Sequence, residues 1–256
     1  MIHPTAIIDS SAILGSNVKI GPYSIIDKGV EIHDGCEIGP HVVIRGDTTI
    51  GKETRIFQFS SIGEEPQDKK YAGEETRLEI GERNVIRESC TINRGTTQDQ
   101  GVTRIGNDNW IMAYVHVAHD CIVGNNTILA NNTSLAGHVT VGDFSILGGF
   151  TLVHQFCHIG AHSFSAMGSA IPKDVPPFVM VAGNSAKAHG LNSEGLKRRG
   201  FTSEEIKNIK EAYRIIYRSG NTMQQAKEIL SSLSEKSSGV QMMLDFLNQV
   251  TRGIVR

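Results

Sequence analysis

The 256-residue chain is predicted to be mainly β, a parallel β-helix wound from six-residue repeats with a C-terminal α-helical domain. Three observations predict it. An aliphatic residue recurs at every sixth position, a small or β-branched residue stands four positions after each, and both patterns give way to helical periodicity after Pro176–Pro177.

Counting by six from Ile2 meets Ile8, Leu14, Ile20, Ile26, Ile32, Ile38, Ile44, Ile50, Ile56 and Ile62 without a miss. With about a quarter of positions aliphatic, such a run arises by chance with a probability on the order of 10⁻⁷. The phase slips, returns at Ile80, Ile86 and Ile92, slips again, then runs from Ile105 to Ile171 with one break at Ser165. Small residues such as Ala6, Val18, Ser24, Thr48, Val115, Thr127 and Ser145 lie two before the next anchor, so on a short strand they share its inward face. Gly15, Gly21, Gly39 and Gly51 follow their anchors, with Pro22 and Pro40 one position later, which marks a corner. Three flat faces then close a coil of about 18 residues, and coils stack at ~4.8 Å. Cys36, Cys90, Cys121 and Cys157 all fall in the small inward column. They read as core filler in a reducing compartment, neither disulfide-bonded nor metal-binding.

The breaks in period, 63–79 and 93–104, are too polar to fill an inward column and are expected to loop out from the coil. The β-helix is assigned to 1–190 and the helical domain to 191–256, where it would cover the open end of the coil. Within the tail, Thr202 with Glu205 forms a capping box inside a Phe201/Ile206 staple, and Gly220 ends that helix. Thr222 with Gln225 starts a second, and Val240–Val250 reads as a third, with Met243, Leu244, Leu247 and Val250 on one face.

A net charge of −2 with no basic stripe excludes nucleic acid as the main partner. The start, MIHPTAIIDSSA, lacks the pattern of a signal peptide, and no apolar stretch is long enough to span a bilayer. The expectation is a cytoplasmic protein without integral membrane association.

The chemistry is expected among the histidines. His119 stands at a corner, and stepping by coils from it meets Gly137 and then Gln155, so the three should form a ladder along one edge with His138 and His154 beside it. His116 should point outward from the adjoining face, and His158 and His162 read as surface polar residues. An imidazole suits a general base, Asp120 beside it an orienting carboxylate, and the Gly137 amide an oxyanion donor. No Ser or Cys adjoins His119 in a nucleophile motif, which favours direct transfer over a covalent intermediate.

The strings IMAYVHVAHDCIVG, NNTSLAGHVTVGD, TLVHQFCHIGAHS, GEEPQDKKYAGEETR, IRESCTINRGT and NSEGLKRRGF together resemble the UDP-N-acetylglucosamine O-acyltransferases of lipid A biosynthesis across essentially the whole chain. The resemblance implies left-handed coils and a cytoplasmic homotrimer. It also implies transfer of an (R)-3-hydroxyacyl chain from the phosphopantetheine thioester of acyl carrier protein to the sugar 3-hydroxyl, with no metal or other cofactor. By the same resemblance His119 is the base, with Asp120 and the Gly137 amide assisting. Gln67, Asp68, Lys70, His116, His138, His154 and Gln155 would hold sugar and diphosphate, and Asn192, Glu194, Arg198 and Arg199 the uridine. Asn93 stands where some members carry His, so a sugar contact there would be a neutral hydrogen bond. Met167 stands where a Gly leaves the acyl groove open, which implies a shorter chain of about ten carbons. It falls on a different edge from His119, so the two share a cleft most simply if it lies between two subunits, which fits the trimer. Rival readings on this scaffold are a coenzyme A-dependent acetyltransferase and a γ-type carbonic anhydrase, whose zinc motif has two histidines five apart; this chain has no such pair.

Overall fold

A computed structural model describes all residues from Met1 to Arg256. Short parallel strands, most of two residues, stack into sheets of nine, eight and ten strands that form the three faces of a prism. Register follows the repeat: Ile7 pairs with Ile25, and His116 with Ser134, which pairs with Leu152. The anchors line the interior; Ile32, Ile44, Ile50, Ile62, Ile86, Ile111 and Leu135 are all 0% exposed. Ser165, the one polar anchor, is buried and satisfied by the Thr151 hydroxyl at 2.8 Å and the Gly148 amide at 3.2 Å. All four cysteines are free and buried, and the thiols of Cys36, Cys90 and Cys121 donate to backbone carbonyls at 3.1–3.2 Å. Burial pushes the Cys121 thiol up to about 12, so these are inert fillers.

The corners have a feature the spacing did not disclose. The third residue after an anchor sits in the left-handed region, as at Asn17 (φ 59°), Asp120 (58°), His138 (63°) and Phe156 (62°). Such a residue costs about 1 kcal/mol or more unless neighbours hold it. Here the amide bonds one coil back, His138 N–H to the His119 carbonyl at 3.1 Å. Aromatic residues at this position also stack along the edges: Tyr23, His41 and Phe59 at 5.2 and 5.4 Å, and Phe144, His162 and Phe178 at 4.9 and 5.5 Å.

The excursions are narrower than the breaks in period. Ser61–Glu64 and Arg77–Ile80 are strands, as are Thr91–Asn93 and Val102–Ile105, so only 65–76 and 94–101 leave the coil. The residues expected to loop out are held because Arg77, Glu79 and Arg104 take outward positions while Leu78, Ile80, Thr103 and Ile105 take the inward ones.

Two elements of the tail were not expected. Strand Val179–Ala182 continues the ten-stranded sheet in parallel, and Lys187–Leu191 returns antiparallel to end it. Helix α1 (Ser193–Arg198) is capped by the Asn192 side chain. Both capping boxes form as read, on α2 (Ser203–Tyr217) and α3 (Met223–Ser234). The last helix, α4 (Ser238–Gln249), starts earlier than Val240 because Ser237 supplies its cap. Beyond it the chain returns to the coil, where Val255 N–H donates to the Asp174 carbonyl at 2.9 Å and Arg252 to that of Gln155 at 2.8 Å. No helix is long and apolar enough to cross a membrane.

Candidate active site

The prism has three edges, and the candidate residues divide among them. The first joins the nine-stranded sheet to the eight-stranded one: His119, Gly137 and Gln155 lie on its corners, with Asp120, His138 and Phe156 directly following in the left-handed position. Both excursions leave the coil at this same edge, since each joins a strand of the nine-stranded sheet to one of the eight-stranded sheet. Loops and histidines therefore converge there.

His119 is half-buried, and its Nδ1 lies 2.8 Å from Asp120 Oδ2. Asp120 is 4% exposed. Burial raises the pKa of this carboxyl, but hydrogen bonds from His119 and from Thr96 outweigh it, and the net shift is downward. The carboxylate therefore stays ionised and orients the His119 ring with Nδ1 toward Asp120 and Nε2 away from it. Gly137 packs against that ring: a Cβ on it would lie 2.6 Å from His119 Cε1. Its amide donates to no backbone carbonyl, although the amides of His138 and Ala136 beside it do.

Around this pair, His138 approaches edge-on with ring centroids 5.1 Å apart, bonds Asp99 through Nδ1 at 3.0 Å, and stacks on Phe156 at 4.3 Å. His116 Nδ1 meets the Thr91 hydroxyl at 2.7 Å; burial, then the nearby His119, lower its pKa and keep the ring neutral. His154 and Gln155 are exposed at the end of the ladder. Asn93 is 3% exposed; its amide NH₂ donates to the Glu65 carbonyl at 2.7 Å, while its buried Oδ1 accepts from nothing. In the first excursion, Gln67 and Lys70 are exposed, Asp68 turns back to the Lys70 amide at 3.0 Å, and Lys70 reaches Gln98 of the second excursion at 3.4 Å.

The other candidates lie elsewhere in the chain. Asn192 and Arg199 sit at the second edge, between the eight- and ten-stranded sheets, through bonds to the His162 carbonyl (3.1 Å) and the Phe144 carbonyl (3.3 Å). Glu194, paired with Lys197 at 2.8 Å, and Arg198 are exposed on the same short helix. Met167, 79% exposed, stands on the third edge, between the ten- and nine-stranded sheets. His162 is a correction: expected at the surface, it is 8% exposed and stacked between Phe144 and Phe178, because the left-handed corner turns its ring along the edge.

Sequence reasoning missed Thr91, Thr96, Asp99 and Phe156. Phe156 was within reach, because it stands one coil after His138. Thr91 was too, because it precedes the anchor Ile92 as His116 precedes Val117; Thr96 and Asp99 carry no periodic signal, since they belong to an excursion.

His119, Asp120 and His138 offer ligand atoms within 4.8 Å of one another. Asp120, however, already accepts from Thr96 and His119, so the cluster is organised by hydrogen bonds among its own members.

Comparison with known proteins supplies the family. The model described as "Udp N-acetylglucosamine O-acyltransferase; Domain 2" matches residues 174–255, and the bacterial transferase hexapeptide model matches 11–46 and 103–137. The acyl-[acyl-carrier-protein]–UDP-N-acetylglucosamine O-acyltransferase of Thiobacillus denitrificans is 59% identical over 255 residues, which cover 100% of this chain and 99% of that protein. Its counterpart in Janthinobacterium is 58% identical, again over 100% and 99% of the two chains. Among solved structures, the enzyme from Acinetobacter baumannii superposes with a TM-score of 0.98 at 50% identity, covering 100% and 99% of the two chains. The left-handed β-helix with terminal helices is the fold they share. The chain belongs to the UDP-N-acetylglucosamine O-acyltransferase family.

Proposed function

We propose that this enzyme transfers an (R)-3-hydroxyacyl chain from acyl carrier protein to the 3-hydroxyl of UDP-N-acetylglucosamine, the first step of lipid A biosynthesis, with His119 as general base. The observation that carries the reading is the His119–Asp120 bond of 2.8 Å beside the unpartnered Gly137 amide. His119 Nε2 takes the proton of the sugar hydroxyl as its oxygen attacks the thioester carbon. The Gly137 N–H receives the developing oxyanion, and Asp120 stabilises the imidazolium. Collapse expels the phosphopantetheine thiol, which leaves with the proton from His119. The thioester supplies an activated acyl group, so this route uses no metal or other cofactor.

His116, His138, His154, Gln155, Asn93 and, from the first excursion, Gln67, Asp68 and Lys70 are the groups proposed to hold sugar and diphosphate. The buried, unpartnered Oδ1 of Asn93 supports a hydroxyl contact there. Asn192, Glu194, Arg198 and Arg199 are proposed to hold the uridine, and Met167 to limit the acyl chain to about ten carbons. Because these groups occupy three edges, a complete site needs neighbouring copies, which supports a homotrimer; the cytoplasm is its proposed location.

Incubation of the protein with UDP-N-acetylglucosamine and 3-hydroxyacyl carrier proteins of graded length, with products identified by mass, tests the reading. A 3-O-acylated nucleotide sugar is expected, with the short chains preferred and Met167→Gly moving the preference to longer ones. His119→Ala should cut turnover by about 10²–10⁴-fold. Full activity in that variant would end the catalytic reading, and equal rates for all lengths would end the role of Met167.

A further inference from the structure

Thr96 lies in the second excursion, is 2% exposed and aims two donors at one carboxylate: its N–H reaches Asp120 Oδ1 at 2.9 Å and its hydroxyl reaches Oδ2 at 2.7 Å. Asp120 Oδ2 therefore accepts from Thr96 and from His119 Nδ1, at 2.8 Å, together. The Asp120 amide is held in turn by the Thr103 hydroxyl at 2.8 Å. The repeat does not require Thr96, since residues 94–101 lie outside every strand. Its position is explained by what it holds.

We propose that Thr96 is a positioning residue for acyl transfer: its hydroxyl shares the Asp120 carboxylate with His119 and so sets both the aim of the imidazole and how much negative charge the ring meets. The proposal rests on the reading of His119 as the base. A carboxylate oxygen that accepts two hydrogen bonds is a weaker partner for each than one that accepts a single bond. The groups facing His119 are Asp120 on its own corner, His138 with Asp99 behind it on the next, and His116 on the preceding strand. Removing the Thr96 hydroxyl leaves all of these in place. It directs more of the Asp120 charge at His119, which favours the imidazolium and takes the free base away at low pH. It also releases one of the bonds that fix the carboxylate plane, so the ring loses its aim.

The test compares full-length Thr96→Ala, Thr96→Val and Thr96→Ser with the unaltered protein and with His119→Ala. Turnover, KM for UDP-N-acetylglucosamine and kcat/KM are measured between about pH 5.5 and 9. Thr96→Ala and Thr96→Val should lose roughly tenfold in kcat, the scale of one hydrogen bond to a charged group, with KM nearly unchanged. The acid limb of kcat/KM should move upward by about half a unit, and Thr96→Ser should restore both. Thr96→Val keeps the volume and branching, so it carries the test if the smaller side chain loosens the excursion. A kcat and acid limb like those of the unaltered protein in both variants would overturn the proposal, as would a Thr96→Ser enzyme as impaired as Thr96→Ala. If His119→Ala itself retains full transfer, the base reading fails and Thr96 with it. If His119→Ala is inactive while the Thr96 variants are normal, only the role of Thr96 falls.

Discussion

The close approach at Gly137 fixes what a single atom can do to the site. A methyl group there would overlap the His119 ring, with its Cβ 2.6 Å from Cε1 and 2.8 Å from Nε2. The ring would have to move, because the Gly137 backbone is tied to the Phe156 amide by a bond of 3.1 Å. Gly137→Ala should therefore lower kcat by about 10²-fold, the cost expected when a catalytic group is displaced by roughly 1 Å, while thermal stability changes little. Steady-state kinetics beside a melting curve check it; a variant with full kcat would show that the ring has room. The neighbourhood of Gly137 and His119 was legible in the sequence, because a common corner phase puts residues one coil apart in contact. Asp120 and His138 were placed beside that ladder, but their own stacking was not, since it depends on a left-handed backbone at corners where neither is glycine.

At the scale of one edge, the stack of Phe144, His162 and Phe178 shows what that corner conformation builds. Burial, then the charge of Arg199, lower the pKa of His162 from 6.5 to about 4, against a smaller opposing effect of Asp143. The folded protein thus holds this ring neutral, whereas the unfolded chain takes up a proton below about pH 6.5. The unfolded state binds more protons between those two values, so stability from this residue is complete above about pH 6.5 and is lost as the pH falls toward 4. By pH 5 the loss should reach up to about 2 kcal/mol. His162→Phe keeps an aromatic ring at a corner where Phe144, Phe150, Phe156 and Phe178 already adopt positive φ. That variant should lose less stability than the parent between pH 7.5 and 5 in denaturant melts, and parallel curves would refute the assignment. The excursions and the terminal strand pair were the least legible elements. Their residues follow no period, and their strands form only because the stacked coils offer backbone partners.

The molecule as a whole was the most legible level in its fold and the least in its site. A strict hexad specifies a prism with inward anchors, whatever its corners carry. It also implies that residues on different edges of one prism cannot share a cleft. His119 belongs to the first edge, and Arg198 and Arg199 lie on the helix seated at the second. In a ring of identical chains, an edge of one copy faces a different edge of the next, so each site would take its base from one subunit and its uridine-binding arginines from a neighbour. Two defective variants should then repair one another. On the proposed roles, His119→Ala would lack the base and Arg198→Ala/Arg199→Ala the nucleotide grip, so each pure protein should be nearly inactive at low UDP-N-acetylglucosamine. Unfolding and refolding the two together in equal amounts should give about a quarter of sites with both sets intact, by random assortment around the ring. Activity near that fraction of the unaltered enzyme supports a site shared between subunits. If the mixture is no more active than the two proteins apart, each site belongs to a single chain, and the division of these residues among edges has no catalytic meaning.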